Sequence, residues 1–405
     1  MTPNTRSAIR NPQPTDPPAG LYIHIPFCLQ KCRYCDFYSV TDRALIPTYL
    51  DALKQEMQIM SGGNLLFDTI YIGGGTPTLL SPADIGAVLD QACKLFTVAA
   101  DAEVTIEANP GTVSAGRLKA YRRAGVERIN IGVQSFNPKI LEFLGRIHTA
   151  EEAVRAVQDA RSAGFANLGI DLIYGIPGQD DSRWRHDLEK AVSLSPEHLS
   201  CYMLSYEDGT PLFEDLQQKR FLPLADKTTA AQFKTAHELL SGAGYEHYEI
   251  SNFAKRVSGE SSPAWKNFRS RHNMKYWTFA PYTGLGPSAH SYDGQQRWWH
   301  HADVNQYIAC IRMGKAPIEG RETLTKQQQI MEAIYLGLRT VEGIDMLRFK
   351  KEFGIAFEKL FAAALPDIIS QGWVSLSKTR CALTPRGMLL IDGIANRLIN
   401  ELDGE

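Results

Sequence analysis

Leu21-Tyr-Ile-His-Ile-Pro-Phe-Cys28-Leu-Gln-Lys-Cys32-Arg-Tyr-Cys35-Asp-Phe-Tyr38 is the stretch on which the fold turns. It opens as an apolar, β-branched run from Leu21 to Ile25, which predicts a strand that Pro26 ends. Three cysteines follow on a loop, spaced C-x3-C-x2-C. A structural zinc site wants four ligands, usually from two paired knuckles, and no partner pair lies nearby. An iron–sulfur cube also has four corners, normally held by four thiolates. Three thiolates on one compact loop leave one iron open to a substrate or cofactor. The plainer alternative is three unrelated core cysteines, or half a zinc site. It fits poorly with three cysteines that fall within eight residues directly after a strand.

The spacing resembles the cluster loop of radical S-adenosylmethionine (SAM) enzymes. The resemblance implies a [4Fe-4S] cluster on Cys28, Cys32 and Cys35, with SAM chelating the open iron through its amino and carboxylate groups. Tyr22-x-His24-Ile-Pro26-Phe-Cys28 is similar to the branch that holds oxygen-independent coproporphyrinogen III oxidase and the HemW haem chaperones.

The chain has 405 residues, enough for one large domain and a smaller one. It is 44% hydrophobic and 22% charged, as soluble globular proteins are. A net charge of −2 gives no footprint for a nucleic-acid polyanion. No run of about 18 apolar residues predicts a membrane span. Residues 1–20 are polar and Pro-rich, without an apolar leader core, and predict a disordered tail. With seven cysteines and no secretory leader, a reducing cytoplasm is the expected compartment.

Beyond the cysteine loop, apolar residues at helical spacing over 45–60 predict a helix. Strands are then predicted at 69–73, 104–107, 128–134, 168–173 and 198–204. Helices are predicted at 82–96 (Ser81 as N-cap), 114–124, 150–163, 182–194 and 225–241. Alternation at this interval predicts a parallel sheet of βαβ units. Six units are visible, short of the eight of a closed barrel. The resemblance implies an open partial (β/α)6 barrel over 21–245, with its chemistry at the C-terminal strand ends. Residues 246–320 read as an irregular, aromatic-rich extension. Residues 321–405 read as a smaller, mostly helical, winged-helix-like C-terminal domain: helices at 325–339, 346–353 and 357–370, a hairpin of 373–376 with 381–383, and a last helix 385–402 capped by Thr384. The neutral charge favours a packing or partner-binding role for this domain over DNA reading.

Gly73-Gly74-Gly75-Thr76-Pro77 follows the second strand. Such a run is a sharp turn or a close backbone approach to a ligand. The resemblance places SAM contacts at Gly74, Gly75 and Thr76, and also at Tyr22, Glu107, Gln134, Arg146 and Asp171. Glu107 and Arg146 would otherwise read as solvated groups. Asp171 sits inside an apolar strand, and a buried acid needs partners. In the oxidase branch several of these positions are associated with a second SAM, so one SAM or two is left open.

Two departures separate the chain from the oxidase pattern. That pattern continues C-x3-C-x2-C-x-C, and here Phe37 stands at the fourth cysteine. Arg271-His-Asn-Met-Lys-Tyr-Trp277 resembles the H-N-x-x-Y-W segment of the haem-chaperone branch. It implies His272 as a haem ligand, with Tyr276 and Trp277 as flat apolar neighbours; the plain alternative is a satisfied core histidine. Trp298-Trp-His-His301 is a second aromatic–histidine cluster, which could line the same pocket but reads better as surface packing. Cys93, Cys201, Cys310 and Cys381 read as small core hydrophobes. The resemblance therefore favours a haem chaperone that carries cluster and SAM over a coproporphyrinogen dehydrogenase. The partners it implies are haem as cargo, a recipient apo-haemoprotein (membrane-associated recipients included) and an electron donor for the cluster. Homodimerisation is left open.

Overall fold

The computed structural model describes residues 17–257 and 268–402; the predicted tail lies outside them up to residue 16. Strands β1 (Ala19–Ile25), β2 (Leu66–Gly74), β3 (Thr97–Ala108), β4 (Arg128–Gln134), β5 (Asn167–Tyr174) and β6 (His198–Met203) lie side by side in parallel, with helices in the connections. All six predicted strands are present. The first begins at Ala19, inside the stretch read as tail.

Each strand alternates. Leu21, Ile23 and Ile25 of β1, Ile70 and Ile72 of β2, Ile129 and Ile131 of β4, and Leu168, Ile170 and Leu172 of β5 join the core cluster that the outer helices cover. The intervening positions are polar: Thr69 and Tyr71, Thr105 and Glu107, Arg128 and Asn130, Asp171, and Ser200. Successive side chains of a strand point to opposite faces, so the outer face is a dry seam against helices and the inner face is a polar hollow. Register sets inward positions of neighbouring strands side by side: Thr69 against Glu103, Thr105 against Arg128, Gly132 against Asp171, and Asp171 against Ser200. The predicted Ser81 cap is present as a reciprocal capping box with Asp84.

The sheet does not close. Six more strands extend it within the described residues: β7 (Tyr245–Glu249), β8 (Asn252–Lys255), β9 (Tyr282–Leu285), β10 (His290–Tyr292), β11 (Gln296–His300) and β12 (Ile318–Thr323). The order is β12-β11-β10-β9-β1-β2-β3-β4-β5-β6-β8-β7. Beyond β1, β9 adds a parallel strand and β10 to β12 follow antiparallel; beyond β6, β8 and β7 run antiparallel. The region read as irregular thus supplies both wings of the sheet. Its strands are only three to six residues long, too short to show a period of two. The helices Pro138–Leu144 and Pro211–Gln217 were likewise not predicted.

The C-terminal region is helical, with a three-stranded antiparallel sheet of β13 (Ile344–Asp345), β14 (Val374–Leu376) and β15 (Arg380–Leu383) in the order β13-β15-β14. Thr384 caps as predicted, accepting from the Gly387 N–H. Two predicted helices are each divided. The stretch 357–370 breaks at Phe361 (φ −114°, ψ 32°), and 385–402 breaks at Leu390 (φ −121°, ψ 18°). No helix among the described residues is long and apolar enough to cross a membrane.

Candidate functional site

A cavity of about 530 Å³ opens at the C-terminal ends of the parallel strands, within the usual size of a small-molecule site. Cys28, Cys32 and Cys35 line it, as do Gly74, Gly75, Thr76, Glu107, Gln134, Arg146 and Asp171. Residues from six separate segments therefore meet in one hollow.

The cysteine loop is held at its base and its middle. Pro26 ends β1, and the chain returns at Val40: the Cys28 N–H donates to Val40 O (2.9 Å) and the Val40 N–H to Pro26 O (2.7 Å). Arg33, at mid-loop, donates its N–H to Leu144 O (3.2 Å) and its Nη1 to Phe143 O (3.1 Å). Its guanidinium pairs with Asp215, and its carbonyl accepts the Leu212 N–H at 2.9 Å. The two helices that sequence reading missed are the ones that clamp this loop. The glycine turn packs beneath it. A Cβ at Gly75 would meet Phe27 O at 2.7 Å and Cys28 Sγ at 3.0 Å, so only glycine lets the backbone pass.

Arg146 ties the loop to the strands: its Nη1 donates to Cys32 Sγ at 3.3 Å, and its Nη2 donates to Gly132 O at 2.7 Å and also to Asn109 Oδ1. Asn109 Nδ2 in turn donates to Thr76 Oγ1 at 2.7 Å. Gln134 has φ 67°, an uncommon value for a non-glycine residue. The β4–β5 register shifts between Gly132 and Gln134, and such a bulge re-aims a side chain. Asp171 accepts from Asn130 Nδ2 at 2.6 Å; burial pushes its carboxyl up, opposed by the nearby Ser200 hydroxyl and Asn130 amide. Burial pushes Glu107 up to about 7; the Asp171 charge adds to this, while hydrogen bonds from Tyr71 and the Gly74 N–H oppose it. Burial also pushes the Cys35 thiol up to about 11.

Several polar atoms in this cavity are buried without a partner: Gln134 Oε1, Asp171 Oδ1, Asn130 Oδ1 and Arg146 Nε. Buried polar atoms are normally hydrogen-bonded, and three acceptors call for a ligand rich in donors, such as ribose hydroxyls. No three His, Cys, Asp or Glu side chains among the described residues converge on a single ion. A cube makes no such demand, because each thiolate binds a different iron. The donor set thus suits a cluster with a polar, nucleoside-like ligand beside it. Asn109 and Asn130 belong to the cavity, although sequence reading had not singled them out. Their signal was available, since Asn109 lies two residues after Glu107 and Asn130 shares the inward period of β4.

Two expected site residues are elsewhere. Tyr22 is not among the lining residues, and its hydroxyl meets His24 Nδ1 at 3.1 Å. His272 lies at the opposite end of the strands. It is 1% exposed, with Nδ1 on Thr69 Oγ1 (2.8 Å) and Nε2 on the Tyr276 hydroxyl (3.0 Å). Its helix, Arg271–Trp277, caps the N-terminal ends of β1 to β3: Lys275 pairs with Asp68 at 2.6 Å and donates to Pro18 O, and the Arg271 N–H donates to Glu103. Burial pushes His272 down to about 3, helped by the Lys275 and Arg128 cations. As placed, both imidazole nitrogens are taken by protein partners. His300 is also buried, against Gly286 O and Glu56, and Phe37 stands 67% exposed at the cavity lip.

These burials set a pH dependence. Five histidines, His24, His148, His247, His300 (each pushed down to about 4) and His272, stay neutral when folded but protonate near 6.5 when unfolded. The unfolded state then binds more protons below 6.5, and stability rises with pH up to there. Glu107 and Glu249, pushed up to about 7, and Glu56, pushed up to about 8, hold protons when folded that the unfolded chain loses above about 4.5. They oppose the histidines as far as 6.5 and, once the unfolded histidines have lost their protons, make stability fall above it. Melting temperature of the ligand-free protein is expected to peak near pH 6.5; a steady climb to pH 8.5 would contradict this account.

A profile of the radical SAM superfamily matches residues 22–191, and one of the HemN C-terminal domain matches 324–390. The chain is 35% identical to the haem chaperone HemW of Bacillus subtilis (strain 168) over 94% of its own length and 99% of the relative's. It is 34% identical to HemW of Escherichia coli (strain K12), covering 95% and 99%. The mitochondrial radical S-adenosyl methionine domain-containing protein 1 of Danio rerio is 31% identical, covering 95% and 88%. The solved structure of the radical SAM enzyme coproporphyrinogen III oxidase (HemN) from Escherichia coli superposes with a TM-score of 0.80 at 24% identity, over 94% of this chain and 90% of that one, and so shares the fold. The superfamily implies a [4Fe-4S] cluster and SAM, both of which the cavity's residues suit. This chain belongs to the radical SAM superfamily and, within it, to the HemW family.

Proposed function

We propose that the protein is a haem chaperone: it holds a [4Fe-4S] cluster on Cys28, Cys32 and Cys35, binds SAM in the adjoining cavity, and carries haem to an apo-haemoprotein. The observation that carries this reading is near-full-length similarity to proteins named haem chaperone HemW. The site adds support, because an exposed phenyl ring stands at the cavity lip where the oxidase pattern has its fourth cysteine. A bound cluster supplies one-electron reducing chemistry. The chain's own residues divide the remaining work. Arg146 neutralises charge at Cys32 and fixes Asn109. Glu107, Gln134 and Asp171 present acceptors to SAM, and Gly75 lets the turn approach the loop.

The test is anaerobic reconstitution followed by two parallel assays. Added haem is expected to give a stoichiometric Soret band and to pass to an apo-globin used as acceptor. Coproporphyrinogen III, with SAM and reductant, is expected to yield no vinyl product. Robust vinyl formation would make the protein a dehydrogenase, and failure to retain haem would remove the chaperone reading.

A further inference from the structure

Glu107 is held from beneath. Its Oε1 accepts the Tyr71 hydroxyl at 2.7 Å. The Tyr71 ring stacks on the His272 imidazole, with centroids 5.1 Å apart and planes 27° from parallel. His272 is gripped on both nitrogens, by Thr69 and Tyr276. Tyr22 flanks the pair, its ring 6.2 Å from Tyr71 and 6.3 Å from His272. The floor is shaped to admit the imidazole: a Cβ at Gly20 would lie 3.0 Å from His272 Cε1 and 3.1 Å from Nδ1.

Thr69 and Tyr71 are two residues apart on β2 and share its inner face. His272 bonds the first and stacks on the second, so it fixes the part of β2 from which Tyr71 reaches Glu107. Tyr71 is the side chain that donates to Glu107, whose other oxygen takes the Gly74 N–H at 3.2 Å. Without the imidazole beneath it the phenol loses its stacking partner, and a loosened phenol no longer aims a buried carboxylate. A haem-ligand role would require His272 to surrender a hydrogen bond, whereas the structure already satisfies this second role as it stands.

We infer that His272 and Tyr71 are positioning residues for the SAM site: the H-N-x-x-Y-W helix orients Glu107 through the Tyr71 phenol. This rests on the proposed assignment of Glu107 to SAM.

The experiment uses the full-length, cluster-reconstituted protein, with SAM affinity measured by anaerobic calorimetry and haem by its Soret band. Tyr71→Phe keeps the ring and removes the hydroxyl; His272→Leu removes the ring and both hydrogen bonds. Each is expected to weaken SAM about tenfold, the loss of one charge-assisted hydrogen bond. The double variant is expected to be no weaker than the weaker single one, since both act through one contact. His272→Gln, whose amide can serve Thr69 and Tyr276 together, is expected to recover most of the affinity. Iron content and Soret intensity should not move. If His272 only packs the floor, stability falls but the SAM losses are absent or add independently, and the inference fails. Loss of the Soret band in His272→Leu with SAM affinity intact would also overturn it, in favour of a haem ligand. Should His272→Leu not fold, Tyr71→Phe decides: unchanged SAM affinity there is equally fatal. Wild-type protein that holds its cluster but binds no SAM would instead remove the proposed SAM site, and this inference with it.

Discussion

Serine at Cys28, Cys32 or Cys35 is expected to abolish retention of a four-iron cluster after anaerobic reconstitution, whereas serine at Cys93, Cys201, Cys310 or Cys381 is expected to leave iron content near the wild-type value. Three thiols share one short loop at the cavity, and the loop is pinned at both ends and at Arg33. Removing one leaves two corners of a cube to a two-thiol loop, and a hydroxyl is a poor substitute for a soft thiolate toward iron. The remaining cysteines lie apart. Cys201 and Cys381 are buried, and burial raises both thiols, Cys381 to about 12 and Cys201 further, so they stay protonated. Cys93 and Cys310 lie on the outer helices Pro82–Leu95 and Val304–Arg312. Iron and sulfide quantification, with the visible charge-transfer band, reads the result. An iron count near zero in the wild type, or a scattered cysteine that proves essential, would refute the ligand assignment.

Alanine at Glu107, Gln134 or Asp171 is expected to weaken SAM binding by roughly tenfold to a hundredfold while the cluster still assembles. Loss of a hydrogen bond to a charged group costs about 1.5–3 kcal/mol, which spans that range. The three residues come from the ends or inner faces of β3, β4 and β5, away from the cysteine loop. Gln134 Oε1 and Asp171 Oδ1 are buried and unpartnered, so each carries a desolvation cost that a ligand's donors relieve. Asp171→Ala also releases Asn130 Nδ2, which had donated to it, so the largest loss is expected there. Calorimetry on reconstituted protein decides, and three variants that all match the wild type would end the account of this cavity as the SAM site.

Much of this was legible in the order of residues. β1 to β6 announced themselves because each couples a run of β-branched or aliphatic side chains to a following helix with glycine or cap punctuation. The cysteine spacing and the polar residues at strand ends are local patterns, and a parallel sheet brings every C-terminal strand end to one face. Glu107, Gln134 and Asp171 therefore had to meet once the strands were in order, and they do; Arg146 joins them from beyond the helix Pro138–Leu144, which the sequence did not announce.

What tertiary structure alone decided lies where local pattern and packing part company. Nothing in Tyr282–Leu285 or His290–Tyr292 distinguishes a strand from a loop, because strands that short borrow their stability from the sheet edge they join. Two clamps on the cysteine loop, at Leu144 and Leu212, join positions more than a hundred residues distant from it in the chain. The H-N-x-x-Y-W segment shows the limit most clearly. Its residue types suit a metal ligand beside a flat apolar surface, but the sequence read as irregular there, and the helix Arg271–Trp277 that presents them appears only in the structure. Which end of the barrel that helix closes was settled by Asp68, Glu103 and the backbone at Pro18, whose hydrogen bonds and charges draw Arg271 and Lys275 to the floor. A buried imidazole is favoured where its nitrogens find partners, and at that end of the strands Thr69 and Tyr276 supply them.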